Sequence, residues 1–196
     1  VACDPAFNFV YEANIRYLHH LGEVTYFSPL ADTSLPDAGF VYLPGGYPEL
    51  YLAALSANRQ MLQSIRRYVE SGGKLLAECG GMMYLCDEIR DKNGYVYPMA
   101  GVLHQSATME NMKLRLGYRT LLYNETRLKG HEFHYSRLVE QQNPLPSCAV
   151  AYTAKGVETD TPLYHYKNVW AGYTHLYWAD PVGNEWFTKF VIDGNT

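Results

Sequence analysis

Two short runs, GFVYLPGG (Gly39–Gly46) and KLLAE (Lys74–Glu78), each lead into a glycine pair, Gly45-Gly46 closing the first and Gly80-Gly81 after the second. Helical spacing of apolar residues follows both. A short strand that hands over to a helix through a glycine turn points to parallel strands with crossover helices, alternating along the chain. The rest of the first half agrees. FVYEANIRYLHHL (Phe9–Leu21) sets Val10, Ile15, Leu18 and Leu21 near one helical face, with Gly22 as the stop. VTYF (Val24–Phe27) reads as a short strand, and the Pro-, Asp- and Ser-rich Ser28–Gly39 as a loop. Helical spacing runs from Glu49 to Val69 and stops at Ser71–Gly73, and Met82–Ile89 predicts a further helix.

The second half differs. LRLGYRTLLYN (Leu114–Asn124), EFHYSRLVE (Glu132–Glu140), CAVAYTA (Cys148–Ala154) and VWAGYTHLYWA (Val169–Ala179) read as strands, and Asn184–Ile192 as a closing helix. The expected fold is one α/β domain over residues 1–196: a mostly parallel sheet with helices on both faces, and a β-rich insertion in the second half. Sites in such sheets form beyond the carboxyl ends of the strands, so both glycine turns are expected to face one pocket.

Composition excludes several functions. The net charge of -4 and the absence of any Lys/Arg-rich run give no nucleic-acid surface. No apolar run approaches the ~18 residues of a membrane span. Cys3, Cys79, Cys86 and Cys148 are widely spaced with no C-x-x-C pair, so no metal site is expected. With no signal peptide, they read as reduced thiols in a cytoplasmic protein. The opening VACDPAFNF starts abruptly in a strand-like run, as a piece of a longer chain would.

Cys79 sits between strand and helix in KLLAECGGMMYL. Such a corner pushes a side chain clear of the sheet, and the helix start favours thiolate. Gly80, and Gly46 from the neighbouring turn, can donate backbone N–H groups to a developing oxyanion. The alternative is a packed cysteine beside glycines that allow strand and helix to approach; Cys3, Cys86 and Cys148 keep that reading.

LLAECGGMMYL, PGGYPELY, GHEFHYSRL and YTHLYW, in that order along nearly the whole chain, resemble the glutaminase domain of cobyrinate a,c-diamide synthases, within the class I (triad-type) glutamine amidotransferases. The resemblance implies hydrolysis of L-glutamine by Cys79 with His175 as its proton partner, and an oxyanion and substrate site at Gly45, Gly46 and Gly80. It implies that ammonia passes to an N-terminal synthetase domain that amidates a tetrapyrrole with ATP and Mg2+. No G-x-x-x-x-G-K-[ST] loop occurs, so that domain is expected to lie outside this chain, which needs no cofactor of its own. A homodimer is compatible with the pattern.

In the wider superfamily a glutamate follows the histidine by two residues. Here that position is Tyr177, so a Cys79–His175 dyad is implied, with the histidine oriented by an unidentified group. His19, His20, His104 and His165 have nothing to single them out. In GHEFHYS, His131 falls on one strand face and Glu132 and His134 on the other, which disfavours a metal pair. Glu49, His131, Glu132, His134 and Tyr177 are candidates for supporting the site or lining an ammonia route; a polar network fixing the insertion is the alternative. Other readings are a sister amidotransferase on another tetrapyrrole, a cobyric acid precursor or a cell-wall lipid, an unrelated thiol hydrolase, or an inactive module that docks a synthetase.

Overall fold

The structure, a computed structural model, describes residues 1–193. Its central sheet has the order Phe40–Leu43, Lys74–Glu78, Val169–Gly172, Leu163–Tyr166. The first three strands are parallel and the fourth is antiparallel. Side chains alternate between the two faces of a strand, which divides the apolar residues into two cores. Val41, Leu43, Leu75, Ala77, Val169 and Ala171 face one core, shared with the helices Leu52–Ala57, Arg59–Glu70 and Gly80–Leu85. Tyr42, Leu76 and Trp170 face the other, shared with the helices Glu12–Leu21 and Pro181–Thr188. Each buried Leu, Ile or Val in these cores contributes about 1.5–3 kcal/mol. The expected mostly parallel sheet with helices on both faces is therefore present.

The β-rich second half forms a five-stranded antiparallel sheet in the order Glu158–Thr159, Val150–Thr153, Arg115–Tyr123, Thr126–His134, His175–Leu176. Its Leu121, Leu128 and Ala151 pack into the second core. Its central hairpin turns at Asn124 and Glu125, both with positive φ (41° and 67°), as a two-residue turn between twisted strands requires. A third sheet joins Val96–Pro98, Glu88–Arg90, Ser106–Thr108 and Arg137–Leu138.

Several boundaries differ from the sequence expectation. The Glu49–Val69 helix is broken: a 3-10 turn at Pro48–Leu50 and the helix Leu52–Ala57 precede Arg59–Glu70. Asn58 makes the break, capping Met61 N–H while donating to the Pro29 and Asp32 carbonyls at 2.8 Å each. The Met82–Ile89 helix spans only Gly80–Leu85, because Cys86 turns extended and Glu88–Arg90 pairs in the third sheet. The strand placed at Glu132–Glu140 runs instead from Thr126 to His134, because the chain turns back at Asn124 and Glu125 and pairs with Arg115–Tyr123 from Thr126 onward. The Asn184–Ile192 helix starts at Pro181, capped by Asp180, whose carboxylate accepts from Gly183 N–H at 2.7 Å.

The Val169–Ala179 strand divides in two. Val169–Gly172 completes the central sheet, and after Tyr173 and Thr174 the chain crosses to pair His175 with His131 in the outer sheet. That crossing is what places His175.

Candidate active site

Cys79 occupies the corner between Lys74–Glu78 and Gly80–Leu85 with φ 49° and ψ -107°. For a residue with a Cβ this is strained, a cost of about 1–3 kcal/mol that surrounding structure must outweigh. Cys79 N–H donates to the Gly172 carbonyl at 2.7 Å and Met83 N–H to the Cys79 carbonyl at 3.0 Å, clamping the corner from both sides. The glycines serve close approach. A Cβ on Gly81 would lie 2.1 Å from the Leu43 carbonyl oxygen, and one on Gly80 would lie 2.7 Å from Pro48 Cδ and 3.3 Å from Gly46 N. The two glycine turns, well apart in sequence, therefore meet beside the sulfur, as the α/β pattern implied.

His175 is 2 % exposed and packs against Gly45, the first glycine of the Gly45-Gly46 turn. A Cβ on Gly45 would lie 2.1 Å from its Cε1, so Gly45 seats the imidazole where the sequence suggested an oxyanion or substrate contact. The Phe9 ring covers the other side at 4.3 Å between centroids. Gly130 leaves room for the His175 backbone, since a Cβ there would lie 2.4 Å from the His175 carbonyl oxygen. Asn14, fully buried, locks the following segment: its amide donates to the Leu176 carbonyl at 2.8 Å and its oxygen accepts from Trp178 N–H at 3.2 Å. Tyr177 is 38 % exposed and packs edge-on against Tyr11.

The sulfur is a thiol at rest, contrary to the expectation that the helix start would favour thiolate. Burial pushes Cys79 up to about 12; Gly80 N–H pulls it down, while Glu49, Glu78 and Glu132 add to the rise. A six-residue helix in a dry site does not overcome that desolvation. The thiol donates to the Phe133 carbonyl at 3.7 Å. Burial also pushes His175 down to about 3, with His131 and His134 adding repulsion, so imidazole and thiol are both neutral. Iodoacetamide alkylation of Cys79, read by peptide mass spectrometry, is accordingly expected to keep rising from about pH 6 to about pH 10. A plateau around neutrality would instead reveal a thiolate–imidazolium pair.

The space at the sulfur is small. Gly46, Tyr47, Glu49, Phe133, His134 and Ser136 help close a cavity of about 20 Å³, room for about one water. Larger cavities lie elsewhere, including one of about 330 Å³ lined by Arg115, Glu132, His134, Ser136, Asp160 and Tyr173. His134 and Ser136 border both spaces. Burial raises the Glu49 carboxyl at the rim of the first, its own backbone N–H opposing.

GHEFHYS divides between faces as its alternation predicts: Glu132 and His134 are buried, His131 and Phe133 less so. Glu132 takes His134 Nε2 at 2.7 Å and Thr161 Oγ1 at 2.9 Å. Arg119 Nε forms an ion pair at 2.5 Å with Oε2, the oxygen that also accepts from Thr161. His134 Nδ1 faces the Ser136 carbonyl at 2.8 Å, and its ring stacks on Tyr173 at 3.7 Å. Both ring nitrogens thus face acceptors. The polar network is real, and it lies next to the sulfur.

Sequence reasoning missed Phe9, Asn14, Tyr42 and Glu78. Asn14 carried a faint signal, a polar residue beside Ile15 on the apolar side of its helix. Glu78 carried another, a carboxylate ending an apolar strand and adjoining Cys79. Its side chain is buried and accepts from Tyr42, Leu176 and Trp178.

Two solved structures share the fold. A crystal structure of a glutamine amidotransferase superposes with a TM-score of 0.61 at 17% identity, covering 97% of this chain and 98% of that one. The structure of PurLQS from Thermotoga maritima gives 0.59 at 16% identity, covering 98% and 93%. By sequence the chain is 40% identical to hydrogenobyrinate a,c-diamide synthase of Pseudomonas aeruginosa, over 90% of this chain and 40% of that protein. It is 39% identical to cobyrinate a,c-diamide synthase of Fusobacterium nucleatum, again over 90% and 40%. The chain thus spans about 40% of the length of these curated relatives. Residues 1–182 match the model of the CobB/CobQ-like glutamine amidotransferase domain, and the chain belongs to that family.

Proposed function

We propose that this chain is the glutaminase unit of a tetrapyrrole a,c-diamide synthase, hydrolysing L-glutamine and supplying the ammonia to amidate the a- and c-acetate carboxylates of cobyrinate. The observation that carries the reading is the strained Cys79 corner, met by the Gly46 turn and by an imidazole seated on Gly45. The names of its relatives supply the tetrapyrrole.

Cys79 Sγ attacks the side-chain amide carbon as its proton passes to His175. The N–H groups of Gly46 and Gly80 face the developing oxyanion. His175 then protonates the departing nitrogen, the C–N bond breaks and ammonia leaves a thioester. Water attacks that thioester, its proton passing through His175 to sulfur, and glutamate departs. Glu49, at the rim of the cavity, is placed to meet the substrate's α-ammonium group. Ammonia leaves past His134 and Ser136, which border the second cavity. The ATP and Mg2+ that activate the carboxylates would be held by a cytoplasmic synthetase region outside residues 1–196.

The test is nitrogen transfer. Intact protein given glutamine carrying 15N in its amide, together with ATP and cobyrinate, is expected to place the label in both acetates. Cys79→Ser is expected to lose transfer from glutamine while still using added ammonium salt. Label transfer that survives in Cys79→Ser would overturn the reading.

A further inference from the structure

We propose that Glu78, the residue immediately before Cys79, is the positioning carboxylate of His175: it holds the ring proton on Nδ1 and so leaves Nε2 free to take the thiol proton. This rests on Cys79 and His175 being the reacting pair, and it supplies the orienting group that Tyr177 cannot.

An unmatched ring nitrogen faces a buried carboxylate. His175 Nδ1 is buried and has no hydrogen-bond partner among the described residues, and it lies 4.0 Å from Glu78 Oε2. The carboxylate is itself fixed: Tyr42 O–H donates to Oε2 at 2.6 Å, Leu176 N–H to Oε1 at 3.1 Å, and Trp178 Nε1–H to Oε1 at 3.5 Å. A carboxylate offers about four acceptor positions, so about one remains, on the side of the orphaned nitrogen. The backbone explains the encounter. Glu78 pairs in register with Gly172, and the chain crosses from there to His175 within three residues. Alternation puts Glu78 on the same sheet face as Leu76, toward Trp178, while the corner turns Cys79 to the pocket.

The ring has little freedom to choose another partner. Gly45 lies under it, Phe9 covers it, and the antiparallel pair with His131 fixes its backbone. A separation of 4.0 Å is about 1 Å beyond a hydrogen bond, and an imidazolium formed by the thiol proton is drawn toward the carboxylate. Burial pushes the Glu78 carboxyl up to about 7 against the hydrogen bonds of Tyr42, Leu176 and Trp178. Charging of one partner favours charging of the other, so the pair stores its attraction for the step that creates the imidazolium.

The experiment compares intact wild-type protein with Glu78→Gln by the 15N shifts of the His175 ring and by steady-state glutamate release. Wild type is expected to carry the proton on Nδ1. Glu78→Gln is expected to shift the proton toward Nε2 and to lower kcat by as much as about 10⁴-fold, the loss when a carboxylate that fixes the tautomer of a reacting histidine becomes an amide, with KM within about twofold. An unchanged tautomer, or an unchanged kcat in a folded variant, overturns the proposal. Should Glu78→Gln not fold, the wild-type spectrum decides alone: a proton resident on Nε2 overturns it. Glutamate release surviving in Cys79→Ser would bring down the underlying reading instead. An inactive Cys79→Ser beside a fully active Glu78→Gln removes only the role of Glu78.

Discussion

Gly45→Ala is expected to lower glutamine hydrolysis by at least about 100-fold in a protein that still folds. The added methyl would lie 2.1 Å from His175 Cε1 and 2.9 Å from Nδ1, well inside contact distance. The flexible side of that contact is the imidazole, which must swing off its seat by more than about 1 Å, and misplacement on that scale costs about two orders of magnitude in rate. Fold loss should be modest, because overpacking at one methyl costs about 1–3 kcal/mol. Gly22→Ala and Gly39→Ala are the controls, since a methyl at either meets nothing within 4 Å. Steady-state glutamate release, with thermal melting alongside, separates a displaced base from a damaged fold. Full activity in Gly45→Ala would mean that the seat of His175 is irrelevant to turnover.

The parts of the site that the sequence made legible are those encoded locally. Cys79 was readable because an apolar strand, a glycine pair and a helical pattern lie within a dozen residues, and the corner follows from their order. The meeting of Gly46 with Gly80 followed from the topology of parallel strands. The support of His175 was not readable, because it depends on a chain crossing that alternation conceals. VWAGYTHLYWA keeps the period of a single strand, while the backbone leaves one sheet at Gly172 and joins another at His175. The resemblance puts the orienting position at Tyr177, whereas the buried carboxylate near His175 comes from Glu78, far back in the chain. Asn14 is hidden for the same reason, its partners lying 162 and 164 residues away. The third sheet was missed because Cys86 and Ile89 suit a helical face as well as a strand, and only the pairing with Val96–Pro98 and Ser106–Thr108 decides between them.

Glu132→Ala is expected to be the most destabilising single change in the outer sheet, lowering stability by about 3–5 kcal/mol. For a chain of this size that corresponds to roughly 6–20 °C in Tm. The carboxylate is 1 % exposed and joins Arg119, His134 and Thr161, so its removal strands a guanidinium and an imidazole in the interior. Burial alone would raise the Glu132 carboxyl, but hydrogen bonds from His134 and Thr161 and the charges of His134 and Arg119 outweigh it and hold the group below its ordinary 4.5. A carboxyl lowered in the folded state contributes stability that is fully present above its unfolded value and is lost as the pH falls below it. The deficit of Glu132→Ala relative to wild type should therefore be largest near neutrality and shrink on acidification below about pH 4.5. Because most of the penalty comes from the cation left behind, Arg119→Leu combined with Glu132→Leu should recover a large part of it, as apolar replacement of buried ion pairs often does. Thermal melts of the single and double variants across that pH range measure both effects. A double variant no more stable than Glu132→Ala would place the worth of Glu132 in its bonds to His134 and Thr161, and the wall beside the sulfur would then depend on that imidazole rather than on the arginine.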